Sequence, residues 1–223
     1  MAETRGKPGP RRTLTEQEIL DAALALLDTG RSGAASIRRI AAAVGVAPNA
    51  VYTYFPDKTA VDRALVELIL AEVTAELTGG WRARVEALAV DLRRQLIAHP
   101  GAVPLLLGGP LDGPNSLRLG ESLLGLLAAG GLDPASAARG SYLLMVYVLG
   151  AVALEVDDVP PGMLAPEAER IAARRAALCE VPAQAFPRMA AATGVLAASI
   201  GTEQFRWGLR RLLDGLQAEA ELN

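Results

Sequence analysis

Residues 36–58, SIRRIAAAVGVAPNAVYTYFPDK, constrain this chain more than any other stretch. Apolar residues recur at helical spacing up to a glycine, and a proline then opens a second, shorter pattern. Ile37, Ile40, Ala41 and Val44 fall on one helical face, and Val46, Val51 and Phe55 continue the same core. Ser36 stands where an N-cap belongs, its hydroxyl able to accept from an orphan amide of the first turn. Ala41 is small where two helices crossing steeply must approach closely. Gly45 follows the last periodic residue, where a left-handed conformation ends a helix at no steric cost to glycine. Pro48 suits the first turn of the next helix, because its missing N–H would be unpaired there. The pattern predicts a helix-turn-helix whose second helix, roughly Pro48 to Phe55, is short enough to lie in a DNA major groove. Asn49, Thr53 and Tyr54 lie off the face that Val51 and Phe55 bury, with Tyr52 near its edge. The plainer alternative is one helical hairpin among many, with its tyrosines packed in a core.

The flanks extend the prediction. Thr15 and Glu18 form a T-x-x-E capping box that fixes the start of a first helix. Ile19, Ala22, Ala23, Leu26 and Leu27 give that helix an apolar stripe, and Gly30 and Gly33 end it. Residues 1–13 are rich in Gly, Pro and Arg and read as a flexible arm. Arg5, Lys7, Arg11 and Arg12 either settle on DNA or stay solvated. After the motif, Asp57 is a candidate cap for a further helix with Lys58 in its first turn, where an ammonium and free amides can meet a phosphate. That helix is expected to run to about Leu77, with Val61, Leu65, Leu68 and Ile69 inward. As the only expected link between the head and the rest, it is the expected transmitter of any signal.

The formal net charge of −3 argues against nucleic-acid binding only until its distribution is read. Residues 1–63 hold nine basic against seven acidic residues, and residues 64–223 hold thirteen against eighteen. The cationic excess therefore sits with the motif, where local phosphate neutralisation matters. The one cysteine, Cys179, makes no intramolecular disulfide and no metal spacing, so a reducing cytoplasm is the expected compartment. No secretory signal is visible at the polar, basic N-terminus. The longest strongly apolar run, Leu143 to Leu154, has twelve residues, short of the roughly 20 a bilayer demands. It predicts a helix buried in a core or a subunit interface, and no membrane partner.

From Trp81 onward the periodicity is helical, with breaks at HPG 99–101, GGP 108–110, DGP 112–114, GGLDP 130–134 and DDVPPG 157–162. No strand pattern of useful length appears. Pro134 to Glu155, apolar on nearly all sides in its second half, and about Thr202 to Glu219 are interface candidates. A self-complementary pair of such helices gives a four-helix contact with two-fold symmetry, and two recognition helices then read half-sites about 34 Å or a multiple apart.

The segments LTEQEILDAALALL, SIRRIAAAVGVA and NAVYTYFPDK resemble the DNA-binding domain of the TetR family of bacterial transcriptional regulators. HPGAVPLLLGGPLDGPNSL and SYLLMVYVLGAVALE resemble, more weakly, the ligand-binding and dimerisation domain of its tetracycline-repressor branch. The resemblance implies an all-α fold: a helix-turn-helix DNA-binding domain over residues 14–60, then a larger helical ligand-binding and dimerisation domain over 61–223. It implies a homodimeric repressor on a palindromic operator of double-stranded DNA, released by a small-molecule effector. Carried over residue by residue, Ser36 and Arg38 meet phosphate or a base edge. Asn49 and Thr53 read bases, Tyr52 and Tyr54 contact backbone or thymine methyls, and Lys58 clamps a phosphate. An effector cavity is implied in the body, for which Trp81, Leu105, Leu106, Leu123, Tyr142, Met145 and Tyr147 are the candidate walls, so the effector is expected to be largely apolar. Leu105 stands where that branch carries a magnesium-binding histidine, and Glu155 lies near an acidic position that assists the metal. The sole histidine, His99, falls several residues early and reads as a turn residue near solvent. No metal or cofactor is therefore expected.

Two other function classes come into question. A lone histidine and a lone cysteine far apart make no recognisable nucleophile–base pair, and Gly108-Gly109-Pro110 lacks the lysine and spacing of a phosphate loop, so an enzyme is not expected. An orphan DNA-binding dimer whose larger domain senses no small molecule stays open on sequence grounds.

Overall fold

The computed structural model describes residues 14–29, 35–75, 78–157 and 165–221, and every regular element within them is helical. The arm expected over residues 1–13, with Arg5, Lys7, Arg11 and Arg12, lies outside the described residues, as do Gly30 and Gly33.

The head is built as its local signals dictate. Helix α1 (Glu16–Asp28) starts at the Thr15–Glu18 box with both reciprocal bonds made. Helix α2 (Ile37–Val44) ends at Gly45, which is left-handed at φ 75°, and the Val46 amide returns to the Ala41 carbonyl at 2.9 Å. Helix α3 (Pro48–Tyr52) opens on its proline and is shorter than expected, although turn bonds continue to Phe55, whose amide reaches the Val51 carbonyl at 3.0 Å. Ile19, Ile40, Ala41, Val51, Val61 and Leu65 close the head core with no exposed surface. Burying one such aliphatic side chain contributes about 1.5–3 kcal/mol over leaving it in water.

Helix α4 (Lys58–Ala71) is capped by Asp57, whose carboxylate accepts from the Ala60 amide at 2.8 Å. It stops six residues short of the expected Leu77 and belongs to both parts. Val61 and Leu65 pack in the head core, while Val66, Ile69 and Leu70 pack in a second cluster with residues of the body. A boundary between residues 60 and 61 thus cuts this helix near its start.

The body comprises α5 (Trp81–Ala98), α6 (Val103–Gly108), α7 (Pro114–Ala129), α8 (Pro134–Asp157), α9 (Glu167–Cys179), α10 (Pro187–Ala197) and α11 (Thr202–Ala220). The Gly/Pro breaks read from the sequence separate α5 through α8. The α9–α10 hairpin was not legible, because its break at 181–186 carries no glycine and its helices bury little. Leu88, Leu127, Leu144, Val148, Leu209 and Leu213 form the main body core among α5, α7, α8 and α11. Cys179 is exposed at the last residue of α9.

Helix α8 corrects one expectation drawn from the apolar run. The 23-residue stretch Pro134–Val156 is long and apolar enough, by length and composition, to cross a membrane. It is nonetheless packed on α5, α7 and α11, with Leu144, Val148 and Val152 in the core. Only 33% of its most apolar window is buried within one copy, so much apolar surface remains uncovered.

The body also contacts the head away from α4, contrary to the expectation of a single link. The end of α1 lies on the turn at 99–102 so closely that a Cβ on Gly101 would stand 2.1 Å from the Leu27 carbonyl oxygen. His99, expected as a solvent-near turn residue, is half-buried with its Nδ1 2.8 Å from the Asp28 carboxylate. Sequence offered no sign of this pairing across 71 residues.

Candidate nucleic-acid interface and effector cavity

The head side chains expected to meet DNA come from the start of α2, the outer side of α3 and the first turn of α4. Ser36, Arg38, Asn49, Tyr52 and Thr53 are all exposed. Ser36 occupies the N-cap position of α2 in an extended conformation, but its hydroxyl makes no capping bond, contrary to expectation. It is left available to a ligand. The Thr53 hydroxyl turns back to the Asn49 carbonyl at 3.4 Å, holding the end of α3. Lys58 is the first residue of α4, with its side chain 37% exposed and its ammonium paired with Asp62 one turn on. A phosphate would have to compete with that carboxylate. Arg39, not singled out from sequence, is exposed beside Arg38.

Tyr54 is placed differently from the other expected contacts. Its ring is half-buried against the head core and its hydroxyl donates to the Leu14 carbonyl, fastening the chain before α1 to the end of α3. That hydroxyl proton is committed within the head.

The body holds a cavity of about 340 Å³ between α4, α5, α6, α7 and α8. Leucines dominate its walls, including Leu70 of α4, Leu88 of α5 and Leu144 of α8. Of the expected wall residues, Leu106, Leu123 and Met145 line it. The other four do not. Trp81 packs against the body core at the start of α5. Leu105 lies between the head core and the cluster behind it, in apolar surroundings. Tyr142 is 65% exposed on the outer face of α8. Tyr147 stacks on Phe205 at 5.5 Å and donates its hydroxyl to the Phe205 carbonyl at 2.8 Å, so the partner it requires is supplied by the chain. Desolvation of this phenol pushes its pKa up, opposed by a backbone hydrogen bond and the Arg93 charge.

Sequence reasoning missed the polar groups of the cavity. Ser116, Ser141 and Glu121 are in its wall. Ser116 is tied to α4: the Glu67 carboxylate accepts the Ser116 amide at 3.1 Å and its hydroxyl at 2.6 Å, and it also accepts the Asn115 amide. A carboxylate from one helix thus caps the N-terminus of another. Glu121, an isolated acid in the apolar pattern of α7, was the one detectable signal.

Glu155 has a different task from the metal-assisting one the resemblance suggested. It is 2% exposed and bound by Arg93, with Nε 3.0 Å from Oε2 and Nη2 2.9 Å from Oε1, and by Arg170 at 2.7 Å. Arg93 also reaches the Thr202 hydroxyl at 3.1 Å, and that hydroxyl donates to Glu167 at 2.6 Å. This network joins α5, α8, α9 and α11. Burial pushes the Glu167 carboxyl up, but the Thr202 bonds and the Arg93 and Arg170 charges together hold it below the ordinary glutamate value.

A helix-turn-helix head with an exposed recognition face, carried on a larger helical body, defines a DNA-binding transcriptional regulator. The family described as "Bacterial regulatory proteins, tetR family" matches residues 19–65, and "Tetracyclin repressor-like, C-terminal domain" matches residues 74–220. The chain belongs to the TetR family. It is 31% identical over 155 residues to an HTH-type transcriptional regulator of Saccharopolyspora erythraea, a match covering 69% of this chain and 64% of that protein, a little under two thirds of its length. It is 27% identical over 218 residues to the HTH-type transcriptional repressor DrrR1 of Streptomyces coeruleorubidus, covering 96% of this chain and 81% of that one. Among solved structures, the TetR family protein ActR of Streptomyces coelicolor in complex with actinorhodin superposes with a TM-score of 0.76 at 25% identity, covering 94% of this chain and 99% of that one.

Proposed function

We propose that the protein is a homodimeric repressor that occupies a palindromic operator and leaves it when a small, largely apolar molecule fills the cavity of the body. The observation that carries this reading is the path of α4. It begins at Lys58, directly after the recognition helix, holds α7 through Glu67, and ends with Leu70 in the cavity wall. An effector works by preferring one of two arrangements, and its differential affinity sets how far DNA binding falls. Here the preferred arrangement moves α7 and α4 together, and the spacing of two heads ceases to fit successive major grooves.

Within this reading Ser36, Arg38 and Lys58 seat the head on phosphates, Asn49 and Thr53 read bases, and Tyr52 meets backbone or a thymine methyl. Tyr54 contributes as an anchor of the recognition helix. Leu106, Leu123 and Met145 contact the effector. The second copy covers the outer face of α8 and α11, where Tyr142, Leu143, Val146, Leu154 and Trp207 are exposed. The family is one of regulatory proteins, and no catalytic role is proposed; the compartment is the cytoplasm. The ligand carried by the similar ActR and the cavity here favour this reading over an orphan dimer that senses nothing.

Footprinting of the purified protein on DNA flanking its own coding region tests the proposal. A protected inverted repeat that is freed by a cavity-binding molecule is the expected result. Failure to protect any site, in the absence of added ligand, overturns it.

A further inference from the structure

The cavity wall is chemically one-sided. Among the described residues lining it, none is aromatic and none is basic. The sole charged side chain among these described lining residues is Glu121, exposed and without a hydrogen-bond or ion-pair partner among the described residues. The basic residue closest in sequence, Arg118, is exposed and lies outside the lining. Of the two hydroxyls, that of Ser116 donates to Glu67 and so has only its acceptor side to offer, while that of Ser141 makes no hydrogen bond among the described residues.

We propose that the effector is an apolar molecule, aliphatic in its buried part, that carries a basic nitrogen placed against Glu121. The inference rests on the cavity being the effector site. A carboxylate or phosphate entering this cavity finds no cation among the described lining residues to replace its lost hydration, and it meets a fixed negative charge instead. An ammonium loses hydration too, but it gains a charge-assisted hydrogen bond to a carboxylate that nothing else occupies. Ser116 Oγ and Ser141 Oγ can accept its remaining donors. The leucine walls take the hydrocarbon without asking for ring stacking.

Three ten-carbon probes, decylamine, decanol and decanoate, separate the alternatives when titrated below their aggregation range into the full-length protein at neutral pH. The amine binds tightest, roughly fivefold over the alcohol, which is about what a partly exposed ion pair supplies, and decanoate binds weakest. Glu121→Gln removes the advantage of the amine and leaves the alcohol unchanged. Gly120 lines the cavity, and a Cβ built there meets no atom within 4 Å. Gly120→Phe therefore obstructs the cavity and weakens all three probes together, and Ser141→Leu does the same from α8. Decanoate binding as tightly as the amine, or an amine preference that survives Glu121→Gln, overturns the ligand class while leaving the cavity as the site. Binding of none of the probes, or binding that neither obstruction weakens, overturns the assignment of the cavity itself.

Discussion

Glu67 holds Ser116 by two hydrogen bonds, one to its amide and one to its hydroxyl, and through them fixes the start of α7 to the middle of α4. The same α7 supplies Gly120, Glu121 and Leu123 to the cavity. Under the proposed function, Glu67 is a positioning residue between cavity and head. Glu67→Ala should lower stability by about 1–3 kcal/mol in denaturant unfolding, the range for losing a cap and stranding its donors. If the coupling runs this way, the variant still binds operator and ligand but ligand no longer releases the DNA. Undiminished release would remove Glu67 from the path.

On the proposed reading, the recognition face divides into residues that seat and residues that read. Lys58→Ala should weaken specific and random DNA by similar factors and lower the salt slope by about one per head. Asn49→Ala should cost about 1–3 kcal/mol on the preferred sequence and little on random DNA. Fluorescence anisotropy at several salt concentrations distinguishes the two. Equal losses on both kinds of DNA for both variants would reject the division.

The uncovered apolar face of α8 and α11 predicts what holds two copies together. Trp207 is 59% exposed on α11 and Val146 49% exposed on α8. Trp207→Glu and Val146→Glu should each raise the dimer dissociation constant by at least about a hundredfold, since charge is buried where an anchor was lost. Analytical ultracentrifugation reads this directly, and operator binding should fall with it. A variant that stays fully dimeric places the interface elsewhere.

The buried cluster around Glu155 gives a pH signature. Glu155→Ala leaves Arg93 and Arg170 without their shared carboxylate and should cost about 3–5 kcal/mol. Glu167 lies at the edge of the same cluster with its folded pKa depressed. A carboxylate of this kind adds stability above its unfolded value and loses it as pH falls through the folded one. The wild-type melting temperature should therefore drop on acidification through and below the ordinary glutamate range, about pH 4. Glu167→Gln should flatten that drop, and an identical profile for the two proteins would assign the acid sensitivity to other groups.

What the sequence determined by itself was local. The Thr15–Glu18 box, Gly45, Pro48 and Asp57 act on backbone within three or four residues, so the helix-turn-helix and most helix ends were readable in order along the chain. The charge bias toward the head and the apolar excess of α8 were equally plain. Only the tertiary structure decided which long-range partners those helices acquired. Tyr54 on Leu14, His99 on Asp28, Tyr147 on Phe205 and Glu155 between two arginines all join residues whose separation in sequence carries no geometric signal. Leu105 and Leu106 show the limit most directly: neighbours of one type on one helix, one packs between head and body and the other faces the cavity. Helical periodicity records that a side chain turns inward. Whether it meets a core or an opening depends on how five separate helices fail to fill the space between them, and that is a property of their packing alone.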